Sequence, residues 1–422
     1  MQLLDRDPAG GRVEGRFGRT RQRTLRLLVG EKGNNPTIRE WTENVQEILH
    51  DMPAPLFSRL SPLPARLRRT LAVAALSLPL SVSAAAQAQT PSPSAPSAPK
   101  LTDTQRGRAF LATRQTTDAL VAFTRALIAD SRDVDAYYGR GQAYSWLQQF
   151  DKAIADYTKC IELLPNASFA YQSRGDAYLL SQQFDKAVAD CTEAIRLKPD
   201  NFLAYATRGL AYASLGQDAR SLSDYGEAIR LKPDFGLAYF HRAEAYQKTN
   251  EYDKSIADYT EEIRRNPRDA YAFKGRGLSY YCLAQYDKAL PDLNEALRLK
   301  PDYALAFNDR GLVYQKQGKL EKAVAEYTEA IRLNRKLFYA WGNRGQTHYF
   351  LKEFEKAVAD CTEAIRLKPD FVVAYEDRGK SYDRLNQLGQ ALSDYRRRVQ
   401  IDPKAPDWLL RRIKHLTDLG VL

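Results

Sequence analysis

The run KAVADCTEAIRLKPD occurs twice, from Lys186 to Asp200 and from Lys356 to Asp370, without a single difference. The two copies lie 170 positions apart, which is five times 34. Stepping along the chain by 34 from Val134, blocks begin at Ser168, Phe202, Gly236, Ala270, Ala304, Phe338 and Val372, with the same residue types at the same phase. A period of this length constrains the fold more than composition does. A unit so short cannot bury its own apolar face, so it must stack on its neighbours.

Within a block the fourth residue is aromatic, as at Tyr137, Tyr171 and Trp341. The eighth is Gly or Ala, as at Gly141 and Ala243, and the eleventh is Tyr except at His348. Spacings of three and four place these residues on one face of a first helix. Ala or Ser at phase twenty, an aromatic or Cys at twenty-four and a small residue near twenty-seven mark a second helix in the same way. A Pro usually closes the block, from Pro165 to Pro403, because it cannot continue the helix and fixes the turn into the next unit.

These residues resemble the tetratricopeptide repeat (TPR), whose length and aromatic, Gly, Tyr, Ala and Pro positions match here in eight blocks. A weaker block from Lys100 to Asp133 keeps Gly107, Phe110, Ala119, Phe123 and Ala126, but carries Asp103 in place of the aromatic and Ser131 in place of the Pro. The resemblance implies an all-α, right-handed α-α superhelix (a TPR solenoid) of about nine 34-residue helical hairpins over residues 100–405. A C-terminal capping helix is expected over 406–422, with Asp407 as N-cap, Gly420 near its end, and Leu409, Leu410, Ile413 and Leu416 covering the open end of the stack.

The first hundred residues show no trace of the period. From Arg66 a cationic start, an apolar run from Leu71 to Ala86 and small residues follow in the order of a secretory signal peptide. We assign 52–88 to that signal, with cleavage near Ala86 or Ala88, and 89–99 to a Pro/Ser/Ala linker. Residues 1–51 read as a mis-annotated or disordered extension, since Met52 opens a credible leader. Whether translation starts at Met1 or Met52 is open at this point. The apolar run falls short of the roughly twenty residues a spanning helix needs, so no membrane span is expected after signal removal. The expected location is periplasmic or secreted, with a cytoplasmic one as the alternative.

The chain's formal charge is +11, of which residues 1–88 supply +5 from 13 Lys and Arg against 8 Asp and Glu. The remaining +6 is spread over a surface of mixed sign, so no nucleic-acid partner is expected. Four cysteines show no metal-ligand spacing. Buried free thiols are one reading, and a bridge between Cys160 and Cys191 on adjacent second helices is another. No nucleotide-binding, nucleophile-elbow or metalloprotease motif is readable, no cofactor or metal is called for, and no catalytic residue is assigned. His241 alone among the histidines sits where it can face a groove, as a solvated polar residue.

Arg recurs at phase seven from Arg140 to Arg378, and Asp or Glu at phase twenty-three from Asp156 to Asp394. Either an ion-pair ladder joins the two helices, or the charges are solvated independently. The resemblance further implies that the variable positions of the first helices line the concave side, where the family takes its ligands. The candidate groove residues there are Tyr138, Trp146, Phe169, Phe240, Tyr271, Tyr281, Asn308, Tyr339, Tyr349 and Phe350. An aromatic-rich groove suits an extended or helical peptide. The expected function is an exported, non-enzymatic scaffold that binds a protein or peptide segment, with a cytoplasmic adaptor or chaperone-like regulator as the alternative.

Overall fold

The computed structural model describes residues 101–421, and the assignments made above for the leader and linker lie outside them. The described residues form nineteen α-helices and no strand, as the period requires. They divide into two compact units, with the boundary in the chain after Pro233. In the first, four hairpins pair α1 (Asp103–Ala112) with α2 (Thr116–Ala129), α3 (Val134–Trp146) with α4 (Phe150–Leu163), α5 (Ser168–Leu180) with α6 (Phe184–Leu197), and α7 (Phe202–Ser214) with α8 (Asp218–Leu231). In the second, five hairpins pair α9 (Gly236–Lys248) with α10 (Tyr252–Arg265), α11 (Ala270–Cys282) with α12 (Tyr286–Leu299), α13 (Ala304–Lys316) with α14 (Leu320–Leu333), α15 (Phe338–Phe350) with α16 (Phe354–Leu367), and α17 (Val372–Arg384) with α18 (Leu388–Ile401). A last helix, α19 (Asp407–Asp418), packs on α18.

The phase-eight glycines are explained by what lies over them. A Cβ on Gly311 would fall 2.7 Å from the ring of Tyr327, and one on Gly345 would fall 2.8 Å from the sulfur of Cys361. At these two positions the phase-twenty-four side chain of the second helix packs directly on the first helix's backbone and leaves no room for a Cβ. Tyr225, Tyr259, Tyr327 and Tyr395 are among the largest fully buried side chains for this reason.

Each first helix ends in a turn that the sequence pattern did not disclose. The Gln148 amide donates to the Ser145 carbonyl and the Gln149 amide to that of Tyr144, closing a Schellman turn through a left-handed residue. That residue recurs every 34 positions, yet it is Gly only at Gly216 and Gly318; elsewhere Arg114, Gln148, Gln182, Asn250, Ala284, Lys352 and Asn386 adopt φ of 58 to 64°. Second helices end where the residue before the Pro turns extended, as at Lys198 with φ −141° and ψ 90°. Asn334 takes the same conformation with no Pro after it, so packing alone can set this turn. Pro291 stands inside α12, where the other seven strong repeats carry Ala or Ser.

The ion-pair ladder is present in all eight strong repeats. Arg140 donates Nε and Nη2 to the two carboxylate oxygens of Asp156, each at 2.8 Å, and the pattern recurs through Arg378 and Asp394. Arg310 meets only one oxygen of the longer Glu326, at 2.9 and 3.0 Å. Several of these arginines also reach back one repeat, as Arg174 Nη1 does to Thr158 Oγ1 at 3.1 Å. The ladder thus joins two helices of one hairpin and ties that hairpin to its predecessor.

The terminal helix departs from expectation in two details. Its N-cap is Pro406, and Asp407 instead occupies the first turn. Leu409 and Leu416 are fully buried and Ile413 packs beside them, while Leu410 is 46% exposed on the opposite side. Gly420 follows at φ +73°, as a helix stop requires. No helix among the described residues is long and apolar enough to cross a membrane.

Candidate functional site

The candidate residues all lie on first helices, but the structure sorts them into packed and presented groups. In the first unit Tyr138 and Phe169 come together across α3 and α5, with ring centroids 4.8 Å apart and nearly perpendicular. Tyr138 also leans on Tyr157 and hydrogen-bonds Ser173 Oγ at 3.2 Å, and burial pushes its phenol up from the usual tyrosine range. Phe169 remains 39% exposed, its ring edge-on to the tyrosine. Trp146 lies apart from this pair and packs against the buried cluster of Leu111 and Phe123.

In the second unit Phe240 is only 7% exposed and sits in a cluster with Ala243, Tyr259 and Ala272. It is a core residue, because its ring packs edge-on to Tyr259 and against Ala272 of the next repeat. Asn308 is likewise buried: it accepts from Asn343 Nδ2 at 3.0 Å and donates to Asp309 Oδ1 at 3.2 Å. Tyr271 packs edge-on to Tyr303, Tyr281 lies between two buried clusters, and Tyr339 lines a third. Tyr349 touches Phe350 and Phe354, and Phe350 itself is 54% exposed. His241 is buried at 3% exposure with Nδ1 3.0 Å from Glu244 Oε2, where the sequence suggested a solvated residue.

Between adjacent first helices runs a row of polar bridges that periodicity could not show. Thr207 donates to Asp176 at 2.6 Å in the first unit. In the second, Lys274 pairs with Asp309 at 3.1 Å, Gln315 donates to Gln346, and Gln346 donates to Asp377, both at 3.0 Å. Gln247 bridges to Gly275 O and Ser279 Oγ at 2.8 Å. Burial pushes the Asp176 carboxyl up to about 7 and that of Asp377 up to about 6. These residues vary in type from repeat to repeat, so only the structure assigns them a shared task.

All four cysteines are free, and Cys160 and Cys191 are both buried without a bridge. Burial pushes the Cys160 and Cys282 thiols up to about 12, far from the reactive thiolate. Among the described residues no group of three or more His, Cys, Asp or Glu is arranged to hold a metal.

Sequence models of the tetratricopeptide repeat match residues 134–167 and 338–371, 304–337, and 203–235 and 237–269, and a TPR-repeat model matches 175–216 and 277–318. Together they cover more than half of the chain. It belongs to the tetratricopeptide-repeat family. Among solved structures, the APC/C hetero-tetramer Cut9–Hcn1 is similar over 74% of this chain and 75% of the matched one, at 16% identity and a TM-score of 0.51. A tetratricopeptide repeat protein from Parabacteroides merdae is similar over 59% of this chain and 98% of its own, at 17% identity and a TM-score of 0.50. At these identities the likeness speaks to the fold. No curated protein matches the sequence significantly.

Proposed function

We propose that this TPR protein is an exported, non-enzymatic scaffold that holds a segment of another protein against its row of first helices. The observation that carries this reading is the exposure of Phe169 and Phe350, large rings left partly in water on first helices whose core positions are already filled. Their partly buried neighbours Tyr138 and Tyr349 hold them in place, and rigid aromatic side chains of this kind supply most of the affinity in protein recognition. The polar bridges between adjacent first helices hold those helices in register with one another. Export rests on the order of charged, apolar and small residues from Arg66 to Gln89.

Co-purification from cells expressing the native gene tests the binding. Phe169→Ala with Phe350→Ala should abolish recovery of partners while leaving helicity intact, and undiminished recovery would refute the reading. These two positions serve better than Trp146 or Tyr281, whose contacts with buried clusters confuse loss of binding with loss of fold. Fractionation with a reading of the mature N-terminus tests export. A periplasmic product beginning near Gln87 or Gln89 supports it, whereas a cytosolic product starting at Met1 would favour the cytoplasmic adaptor.

A further inference from the structure

At the end of the second unit, residues of α15, α17, α18 and α19 line an open cleft of about 600 Å³. Its walls are aromatic: Tyr349, Tyr395 and Trp408, the last two edge-on at 6.0 Å between centroids. Basic side chains outnumber acids around it, with Asp383 the one carboxylate in the lining. That carboxylate is fully engaged, since it accepts from Arg412 at 2.9 and 3.1 Å and from the Tyr395 hydroxyl at 2.8 Å. Lys380 is also matched, 2.6 Å from Glu376 and 3.6 Å from Asp377, with its ammonium 5.0 Å from the centre of the Trp408 ring.

Arg384 and Arg411 are different. Arg384 stacks 5.5 Å over Phe354, and neither arginine pairs with a carboxylate of the described residues. His415 beside them is exposed and likewise without an acid. Closing a helical stack needs only an apolar inner face and a polar outer one, which Leu409, Leu416 and any polar surface would supply. Two uncompensated guanidinium groups gathered over three aromatic walls go beyond that need.

We propose that this cleft receives an acidic, aromatic-containing segment of a protein partner. Arg384 and Arg411 take its carboxylates, and Tyr349 and Trp408 take its apolar side chains. Guanidinium groups form strong paired hydrogen bonds with carboxylates, and the volume holds side chains that a lone inorganic anion would leave unmatched. The inference rests on the reading of the first helices as a protein-binding face and names the class of segment that ends there.

The test is fluorescence anisotropy of the purified full-length protein with a short labelled peptide of alternating Glu and Tyr. A matched Lys/Tyr peptide is the control, and inorganic phosphate and a single-stranded RNA are competitors. The Glu/Tyr peptide should bind and the Lys/Tyr peptide should not. Arg384→Gln with Arg411→Gln should weaken binding at least about tenfold, against less than about twofold for Arg366→Gln on the exposed side of α16. Both cleft arginines are exposed, so circular dichroism should show an unchanged fold. Failure of the Glu/Tyr peptide to bind, equal binding of the Lys/Tyr peptide, undiminished binding by the double variant, or displacement by phosphate or RNA below the peptide's own concentration would overturn the proposal. If the cleft variant keeps its cellular partners while Phe169→Ala with Phe350→Ala loses them, the cleft falls and the scaffold reading stands.

Discussion

Removing the acid of one ladder pair should cost far more than a surface ion pair is worth. Arg174 donates to Asp190 through Nε at 2.7 Å and Nη2 at 2.8 Å, and the two side chains are 16% and 10% exposed. The guanidinium also lies 5.6 Å over Tyr171 and 5.9 Å from the centre of Tyr178, and Nη1 is spent on Thr158. In Asp190→Ala the arginine keeps Thr158 and the rings but loses both charged acceptors. Breaking a fully buried pair costs about 3–5 kcal/mol, and the residual access of water to Arg174 lowers the expectation to about 2–3 kcal/mol. An exposed pair would be worth only about 0.2–1 kcal/mol. Because stacked repeats need not unfold in one step, hydrogen exchange of the α5 and α6 amides reads the loss better than a global melt. A double-mutant cycle with Arg174→Met should return a coupling of about 1.5–3 kcal/mol. A cost under about 0.5 kcal/mol with no coupling would mean that the two charges recur for independent reasons.

Further predictions concern single positions. The folded value of Asp176, about 7, exceeds that of the unfolded chain, so its contribution is full below the unfolded value and is lost as pH rises through about 7. Asp176→Asn should therefore be more stable than the native protein at pH 8, by about 1–3 kcal/mol, with the gap closing towards pH 4 in parallel urea titrations; a gap independent of pH would contradict this. Pro291→Ala restores an amide inside α12 that can bond the Asp287 carbonyl, and should stabilise the second unit by about 1–3 kcal/mol in thermal melts. A lower melting temperature would show that the proline is needed for packing. Ala284 sits at φ 58° in a turn where other repeats use Gly, so Ala284→Gly should gain up to about 1 kcal/mol; any loss would point to side-chain contacts outweighing the backbone.

The helical hairpins, their order and the ladder were legible because each depends on residue types that recur in phase. Gly311 and Tyr327 each stand at a recurring phase, and the structure adds that the ring of one lies where a Cβ on the other would fall. The left-handed turn residue was invisible, because Gln, Gly, Asn, Ala and Lys share no side-chain chemistry and packing overrides their backbone preference. Presentation on the first helices was only half legible. Phe240 and Phe350 look alike in sequence, but one meets small residues of the next repeat and is buried, while the other meets water. Asp176, Asp309 and Asp377 escaped notice because each is satisfied by a different partner on the neighbouring helix. In the terminal helix, Leu409, Ile413 and Leu416 recur at helical spacing, and Leu410 falls one position off that face.

Site-specific photo-crosslinking in cells would show which helices carry the binding surface. A benzophenone side chain replacing Phe169 or Phe350 reports the first-helix face, and one replacing Lys159 or Lys356, both exposed on second helices, reports the opposite choice. A discrete crosslinked partner from the two phenylalanine positions, and none from the two lysines, is the predicted result. Crosslinks confined to the lysine positions would place the binding surface on the second helices and contradict the account.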